Sequence, residues 1–261
     1  MEYRILGPIR VIDEGRESFL NARKVQALLA VLLIKADQIV SVDQLIAEIW
    51  DEDPPRRANA SLHVYISQVR KFLSRPGQDG SRLTTRAPGY MLTLRQDSLD
   101  VRDFQQCIAD GRDQLLLGRL EEANELLSGA LAMWQGRALG ELTGDGPIIR
   151  GFVVWAEEAR LECLELQFET RLALGHHRQL VGPLFQLISE NPMRETFYRQ
   201  LMLALYQSGR QADALRVYQS ARTTLSDELG VEPCQTLRDL HQAILVGDEV
   251  RSEYAVPTLV S

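Results

Sequence analysis

The chain has 261 residues, 45% of them hydrophobic and 25% charged, which fits globular domains and excludes wholesale disorder. Its formal net charge is −7, but residues 1–95 carry 14 Lys+Arg against 11 Asp+Glu, whereas residues 96–261 carry 15 against 25. No stretch approaches the length of an apolar membrane span and the first residues already read as a strand, so neither a span nor a signal peptide is expected. This sign asymmetry points to one part that meets phosphate and another that meets something else. The three cysteines, Cys107, Cys163 and Cys234, are far apart in helical patterns. They read as reduced, packed thiols rather than disulfides or zinc ligands.

Residues Tyr3 to Ile12 are β-branched and partly alternating, which predicts a strand. Asp13-Glu14-Gly15-Arg16 supplies a turn, after which Glu17 to Leu20 pairs back. Val25, Leu28, Leu29, Leu32 and Leu33 recur three or four apart and form one face of a helix ending near Ala36-Asp37. Ser41 caps a second short helix, and Gln44 completes a capping box. Leu45, Ile46, Ile49 and Trp50 are its buried side, and Asp51-Glu52-Asp53-Pro54-Pro55 breaks it.

A third helix is predicted over about 55–74, with Leu62, Ile66, Val69 and Leu73 as its inward stripe. Its other surface carries Asn59, Ser61, His63, Val64, Ser67, Gln68, Arg70 and Lys71. The Pro76-Gly77-Gln78-Asp79-Gly80 loop leads into strands at about 82–86 and 90–94. Pro88-Gly89 suits the centre of a type II turn, where the second residue must tolerate positive φ. The order is β-β-α-α-α-β-β, a polar-faced helix followed by a cationic hairpin, which is the layout of a winged helix-turn-helix.

From Leu99 onward the strand signal disappears, and helices are predicted at about 101–117, 119–134, 147–174, 177–190, 194–208, 211–228 and 233–246. The phrase Leu116-Leu-Gly-Arg-Leu-Glu-Glu-Ala123 recurs loosely as Leu174-Gly-His-His-Arg-Gln-Leu180 and as Ser208-Gly-Arg-Gln-Ala-Asp-Ala-Leu215. Gly175 and Gly209 lie one tetratricopeptide period apart. The predicted fold is therefore mainly α. An α+β winged helix-turn-helix (1–95) precedes an all-α, tetratricopeptide-like domain (96–250) and a short tail (251–261).

A major groove about 12 Å wide admits one helix, and short polar side chains let the backbone approach base edges. Ser67 and Gln68 are candidate base readers, with Val64 placed for a thymine methyl group. Arg56, Arg57, Arg70 and Lys71 are candidate phosphate contacts, which set register without reading sequence. Arg86, just before the tight turn, is the candidate to enter the neighbouring minor groove. Arg23 and Lys24, at the start of the first helix, are candidate backbone clamps.

Catalytic patterns are lacking. Gly144-Asp145-Gly146-Pro147 is too short for a phosphate loop and has no lysine. His176 and His177 are adjacent, so on a helix their side chains diverge. The acidic trio Asp51-Glu52-Asp53 reads as an ordinary helix end. No Ser-His-Asp set can be assembled. Neither catalytic nor metal-binding residues are expected, nor a cofactor.

The run His63-Val-Tyr-Ile-Ser-Gln-Val-Arg-Lys-Phe-Leu73, followed by Leu83-Thr-Thr-Arg-Ala-Pro-Gly-Tyr90, resembles the effector domain of OmpR-type winged-helix regulators. Leu201-Met-Leu-Ala-Leu-Tyr-Gln-Ser-Gly-Arg210, Ala214-Leu-Arg-Val-Tyr218 and Leu229-Gly-Val-Glu-Pro233 resemble the bacterial transcriptional activation domain. In this order the two resemble the antibiotic regulatory proteins of actinomycetes, the SARP family.

The resemblance implies a cytoplasmic activator of secondary-metabolite (antibiotic) genes that binds direct repeats in double-stranded DNA near the −35 element. It further implies a head-to-tail dimer on DNA that recruits RNA polymerase holoenzyme, with no membrane partner. Carried over by position, groove contacts fall on Ser61, Val64, Ser67 and Gln68, phosphate contacts on Arg70 and Lys71, and the wing arginine on Arg86. Ala60 stands where many OmpR-type relatives have a basic residue. Neither the receiver domain of that class nor the ATPase domain of larger family members is expected here. Two other readings remain open at this level: a helical-repeat adaptor whose winged helix only dimerises, and a small-molecule sensor with its ligand between the repeats.

Overall fold

The computed structural model describes residues 1–51, 53–74, 81–142 and 146–247. The expected loop at 76–80, the first half of the Gly144–Pro147 segment and the tail at 251–261 lie outside the described residues. Two compact units emerge, one of residues 1–107 and 129–161, the other of residues 108–128 and 162 onward.

In the first unit, strands β1 (Glu2–Arg4), β2 (Arg10–Asp13) and β3 (Arg16–Ser18) form an antiparallel meander. The single strand expected over Tyr3–Ile12 is thus two. Gly7-Pro8 interrupts it, because proline has no N–H to offer the ladder. The backbone groups released by the break find partners far along the chain. The Asp100 carboxylate accepts from Ile5 N (2.8 Å) and Leu6 N (2.9 Å). The carbonyls of Leu6 and Ile5 accept from Gln135 N (2.8 Å) and Leu139 N (2.9 Å). A further strand, β7 (Ser98–Leu99), lies parallel to β1 and completes a sheet of order β3-β2-β1-β7. The strand signal therefore persists slightly beyond where the sequence suggested.

Helix α1 (Arg23–Ile34) carries the expected stripe, but Ala27, Ala30 and Val31 are buried as well. It is the central helix of this unit, surrounded rather than one-sided. Strand β4 (Val40–Ser41) leads into α2 (Val42–Trp50), whose capping box is formed as expected: Gln44 N donates to Ser41 Oγ (3.2 Å) and Ser41 N to Gln44 Oε1 (3.0 Å). On α2 the structure also buries Glu48, 3% exposed. Its carboxylate accepts from Ile148 N (2.6 Å) and Ile149 N (3.2 Å), the otherwise orphan donors at the start of α6 (Pro147–Ala173). A Cβ on Gly146 would come within 2.6 Å of the Glu48 Cα, so only glycine admits this approach. Helix α3 (Ala58–Phe72), the hairpin of β5 (Leu83–Arg86) and β6 (Gly89–Leu92), and the first turns of α4 (Asp100–Leu116) follow.

The second unit contains parts of α4, α5 (Leu120–Ala132) and α6, then α7 (His177–Glu190), α8 (Glu195–Gln207), α9 (Gln211–Leu229) and α10 (Gln235–Val246). All seven helices read from the sequence are present, each end within two residues of expectation. The three similar words at residues 116–119, 174–177 and 208–211 share one geometry. A left-handed glycine ends the helix, and the next N–H reaches back to close it: Arg119 N to Gln114 O (2.9 Å), His176 N to Arg171 O (3.0 Å) and Arg210 N to Leu205 O (2.9 Å). Between α6 and α8, Arg199 Nη2 donates to Glu169 Oε2 (2.6 Å), and Gln200 Nε2 donates to the same oxygen (3.1 Å). Of the cysteines, Cys163 is buried and Cys107 half-buried, but Cys234 is exposed at the N-cap of α10, so packing does not hold for all three.

Burial pushes the Asp100 carboxyl up to about 6, against the pull of the Leu6, Ile5 and Val101 N–H groups. The folded value lies above the unfolded one, so this group's contribution is greatest below about pH 4 and is lost as the pH rises through 6. Urea unfolding of the parent chain should therefore lose up to roughly 3 kcal/mol relative to Asp100→Asn between pH 4 and 7. Parallel pH profiles for the two proteins would contradict this assignment.

Candidate nucleic-acid interface

Helix α3 buries the four residues of its expected stripe: Leu62 at 1% exposure, Ile66 at 1%, Val69 at 0% and Leu73, at its C-cap, at 2%. The opposite side is open. Val64, Ser67, Gln68 and Lys71 are exposed and Ser61 is half-buried. Positions 61, 64, 68 and 71 recur at intervals of three and four, so they form one outward row. Val64 is 54% exposed, an apolar side chain on an otherwise polar face.

The wing pairs Leu83 with Leu92, Thr84 with Met91, Thr85 with Tyr90 and Arg86 with Gly89. Its turn is Ala87-Pro88 with a cis peptide between them, the arrangement of a type VI turn. The expected type II turn centred on Pro88-Gly89 is therefore corrected. Gly89 is a strand residue, and it does not have positive φ. Glycine is required there for another reason: β4 pairs with β6, and a Cβ on Gly89 would lie 1.8 Å from Val40 O and 2.7 Å from Ser41 Cα. Val42 N, at the start of α2, also donates to Pro88 O (3.2 Å), which fixes the turn to the helix-turn-helix.

Four side chains, Arg70, Thr85, Tyr90 and His63, join α3 to the wing. Arg70 Nε donates to Leu83 O (2.9 Å) and its Nη2 to Thr85 Oγ1 (2.8 Å). The guanidinium also lies 5.8 Å from the centre of the Tyr90 ring. Tyr90 is 4% exposed and packs beneath the wing, its hydroxyl 3.0 Å from His63 Nδ1. Sequence reading placed Arg70 on phosphate and His63 on the open face. Their ties to the wing carry no local sequence signal, since the partners lie 13 to 27 residues away. Two of the five guanidinium N–H groups are engaged, which leaves three for other acceptors.

The remaining cations differ in their surroundings. Arg56, Arg57, Lys71 and Arg86 are exposed and make no side-chain hydrogen bond or ion pair among the described residues. Lys24 lies over the Trp50 ring at 5.2 Å, and Trp50 stacks on Tyr65 of α3 with centroids 5.7 Å apart. Arg23 is exposed on the first turn of α1. The helix N-termini divide the same way. α2 has its capping box and Asp43 in the first turn. α1 and α3 have no side-chain cap and no acid in the first turn, and each begins beside basic residues. Cations and uncapped N–H groups at a helix start are unfavourable together unless an anion sits there. Among the described residues no three His, Cys, Asp or Glu side chains are grouped to hold a metal ion, and no helix is long and apolar enough to cross a membrane.

Gly89→Ala should cost about 3 kcal/mol, because backbone rather than a flexible side chain occupies the space of the new methyl group. Urea unfolding checks the loss, and unchanged stability would remove the steric account of Gly89.

Residues 17–92 match the family described as "Transcriptional regulatory protein, C terminal", and residues 99–245 match "Bacterial transcriptional activator domain". The chain is 36% identical to the transcriptional regulator RedD of Streptomyces coelicolor, over 96% of this chain and 72% of RedD. It is 35% identical to the regulatory protein DnrI of Streptomyces peucetius, over 95% of this chain and 93% of DnrI. Against the transcriptional regulatory protein EmbR of Mycobacterium tuberculosis, identity is 35% over 94% of this chain, which spans 63% of EmbR's length. The solved structure of M. tuberculosis EmbR in complex with a low-affinity phosphopeptide superimposes with a TM-score of 0.91 at 34% identity, covering 97% of this chain and 67% of that one. An OmpR-type winged helix joined to a bacterial transcriptional activation domain, with relatives of this kind along nearly its whole length, places the chain in the SARP family of transcription regulators.

Proposed function

We propose that this chain is a sequence-specific DNA-binding activator of a secondary-metabolite gene cluster. In this reading α3 lies in the major groove, with Ser61, Val64, Ser67 and Gln68 toward base edges. Arg56 and Arg57 meet phosphates at its start and Lys71 near its end; a fifteen-residue helix separates those ends by roughly 20 Å. Arg86 enters the adjacent minor groove, and Arg23 and Lys24 hold backbone at the start of α1. Arg70 chiefly fixes the angle between helix and wing and uses its remaining N–H groups on phosphate.

The observation that carries the reading is the outward row of Ser61, Val64 and Gln68 on α3, flanked by cations that make no side-chain hydrogen bond or ion pair among the described residues. A merely solvated helix face does not need this arrangement, whereas a groove-bound helix does. Two protomers on direct repeats about one helical turn apart would share one DNA face. The balance of only +3 over residues 1–95 makes cooperation between protomers more important than any single contact. The acidic remainder offers surface to RNA polymerase, and the setting is the cytoplasm.

Fluorescence anisotropy of the full chain on repeat-containing promoter DNA, at several salt concentrations, tests this. Arg86→Ala should weaken binding and reduce the slope of log K against log salt by about 0.9. Gln68→Ala should leave that slope unchanged and lose about 1–3 kcal/mol of discrimination at one base pair. Parental footprints and slopes in both variants would overturn the interface.

A further inference from the structure

A groove of about 620 Å³ opens in the first compact unit, walled by the end of α1, the start of α4 and the first turns of α6. Leu33, Ile34, Leu99 and Val101 supply aliphatic lining. One side presents Phe152 and Trp155, ring centroids 5.8 Å apart and tilted by 39°. Trp155 is 39% exposed, which leaves an indole face facing open space rather than core. Two cations, Lys35 and Arg102, line the groove, and among the described residues no carboxylate does. Arg102 is held in place by Ala36 O (3.1 Å) and by Asp37 (3.0 Å), outside the lining. Lys35 has no ion-pair partner among the described residues.

A groove of mixed polar and apolar lining with two cations at its edge is unexpected in a chain with 36 acidic against 29 basic residues. Its volume falls in the range of small-molecule sites. Aromatic walls favour a flat ring, through offset or edge contacts. An unpaired ammonium bordering an apolar surface favours an anionic substituent on that ring. We infer that the groove binds a small planar aromatic anion, a fused-ring carboxylate or phenolate, with its ring against Trp155 and Phe152 and its charge at Lys35. The inference goes beyond the DNA reading and does not depend on it.

Equilibrium dialysis of the full chain with 2-naphthoate and with its uncharged isostere 2-naphthamide provides the test. The acid should saturate a single site and bind about fivefold or more tightly than the amide. Lys35→Gln should erase that difference. Gly151 lies in α6, where an added Cβ meets nothing within 4 Å, so Gly151→Trp fills the groove without displacing backbone and should abolish binding of both compounds. Thermal melting confirms that each variant is folded. Absence of saturable binding, equal affinity for acid and amide, an unaltered preference in Lys35→Gln, or retained binding in folded Gly151→Trp would each overturn the proposal.

Discussion

Helix α3 and the wing are separate in sequence, and the angle between them is set largely by one guanidinium. Arg70 reaches from α3 to the backbone of Leu83 and the hydroxyl of Thr85, and covers the Tyr90 ring while doing so. Tyr90 in turn meets His63, about two turns before Arg70 on α3. These contacts close a loop from α3 through β5 and β6 and back to α3. A lysine could not substitute, because the two acceptors and the ring require a planar fork. Helix α3 and the wing are thus held together by a part-buried polar cluster as well as by apolar packing.

Around this cluster, charge is distributed by element. α2 is satisfied internally, with its capping box and Asp43 at one end. α1 and α3 are left uncapped and basic at their starts, a local cost to the isolated fold that an anionic partner removes. The lasting asymmetry between these helix ends is difficult to explain by folding alone. It fits the DNA-facing role proposed for this surface.

Much of this was legible in the sequence, for a definable reason. Helices α4 to α10 and the inward stripe of α3 follow from periodicities that repeat within a few residues. The capping box of α2 is likewise a local signal. What escaped depends on contacts between distant segments. The break at Gly7-Pro8 is stabilised by Asp100, Gln135 and Leu139. Gly89 looked like a turn glycine, yet it is needed because Val40 lies against it, 49 residues earlier. Glu48 occupied a helix otherwise read correctly, but its partners are 100 and 101 residues away. Arg70 reads from the sequence as a phosphate contact, whereas its bonds to Leu83 and Thr85 carry no local signal, because 13 and 15 residues separate the partners.

The pairing of Glu48 with the first turn of α6 has a practical consequence for isolating the reading head. The family match for the winged helix stops at residue 92, which invites a cut just beyond it. Such a fragment would strip Glu48 of both its backbone donors at the start of α6. It would also remove β7 and leave the N–H groups of Ile5 and Leu6 without Asp100. The compact unit that holds the winged helix runs through residues 1–107 and 129–161, so its natural boundary lies well beyond the end of the family match.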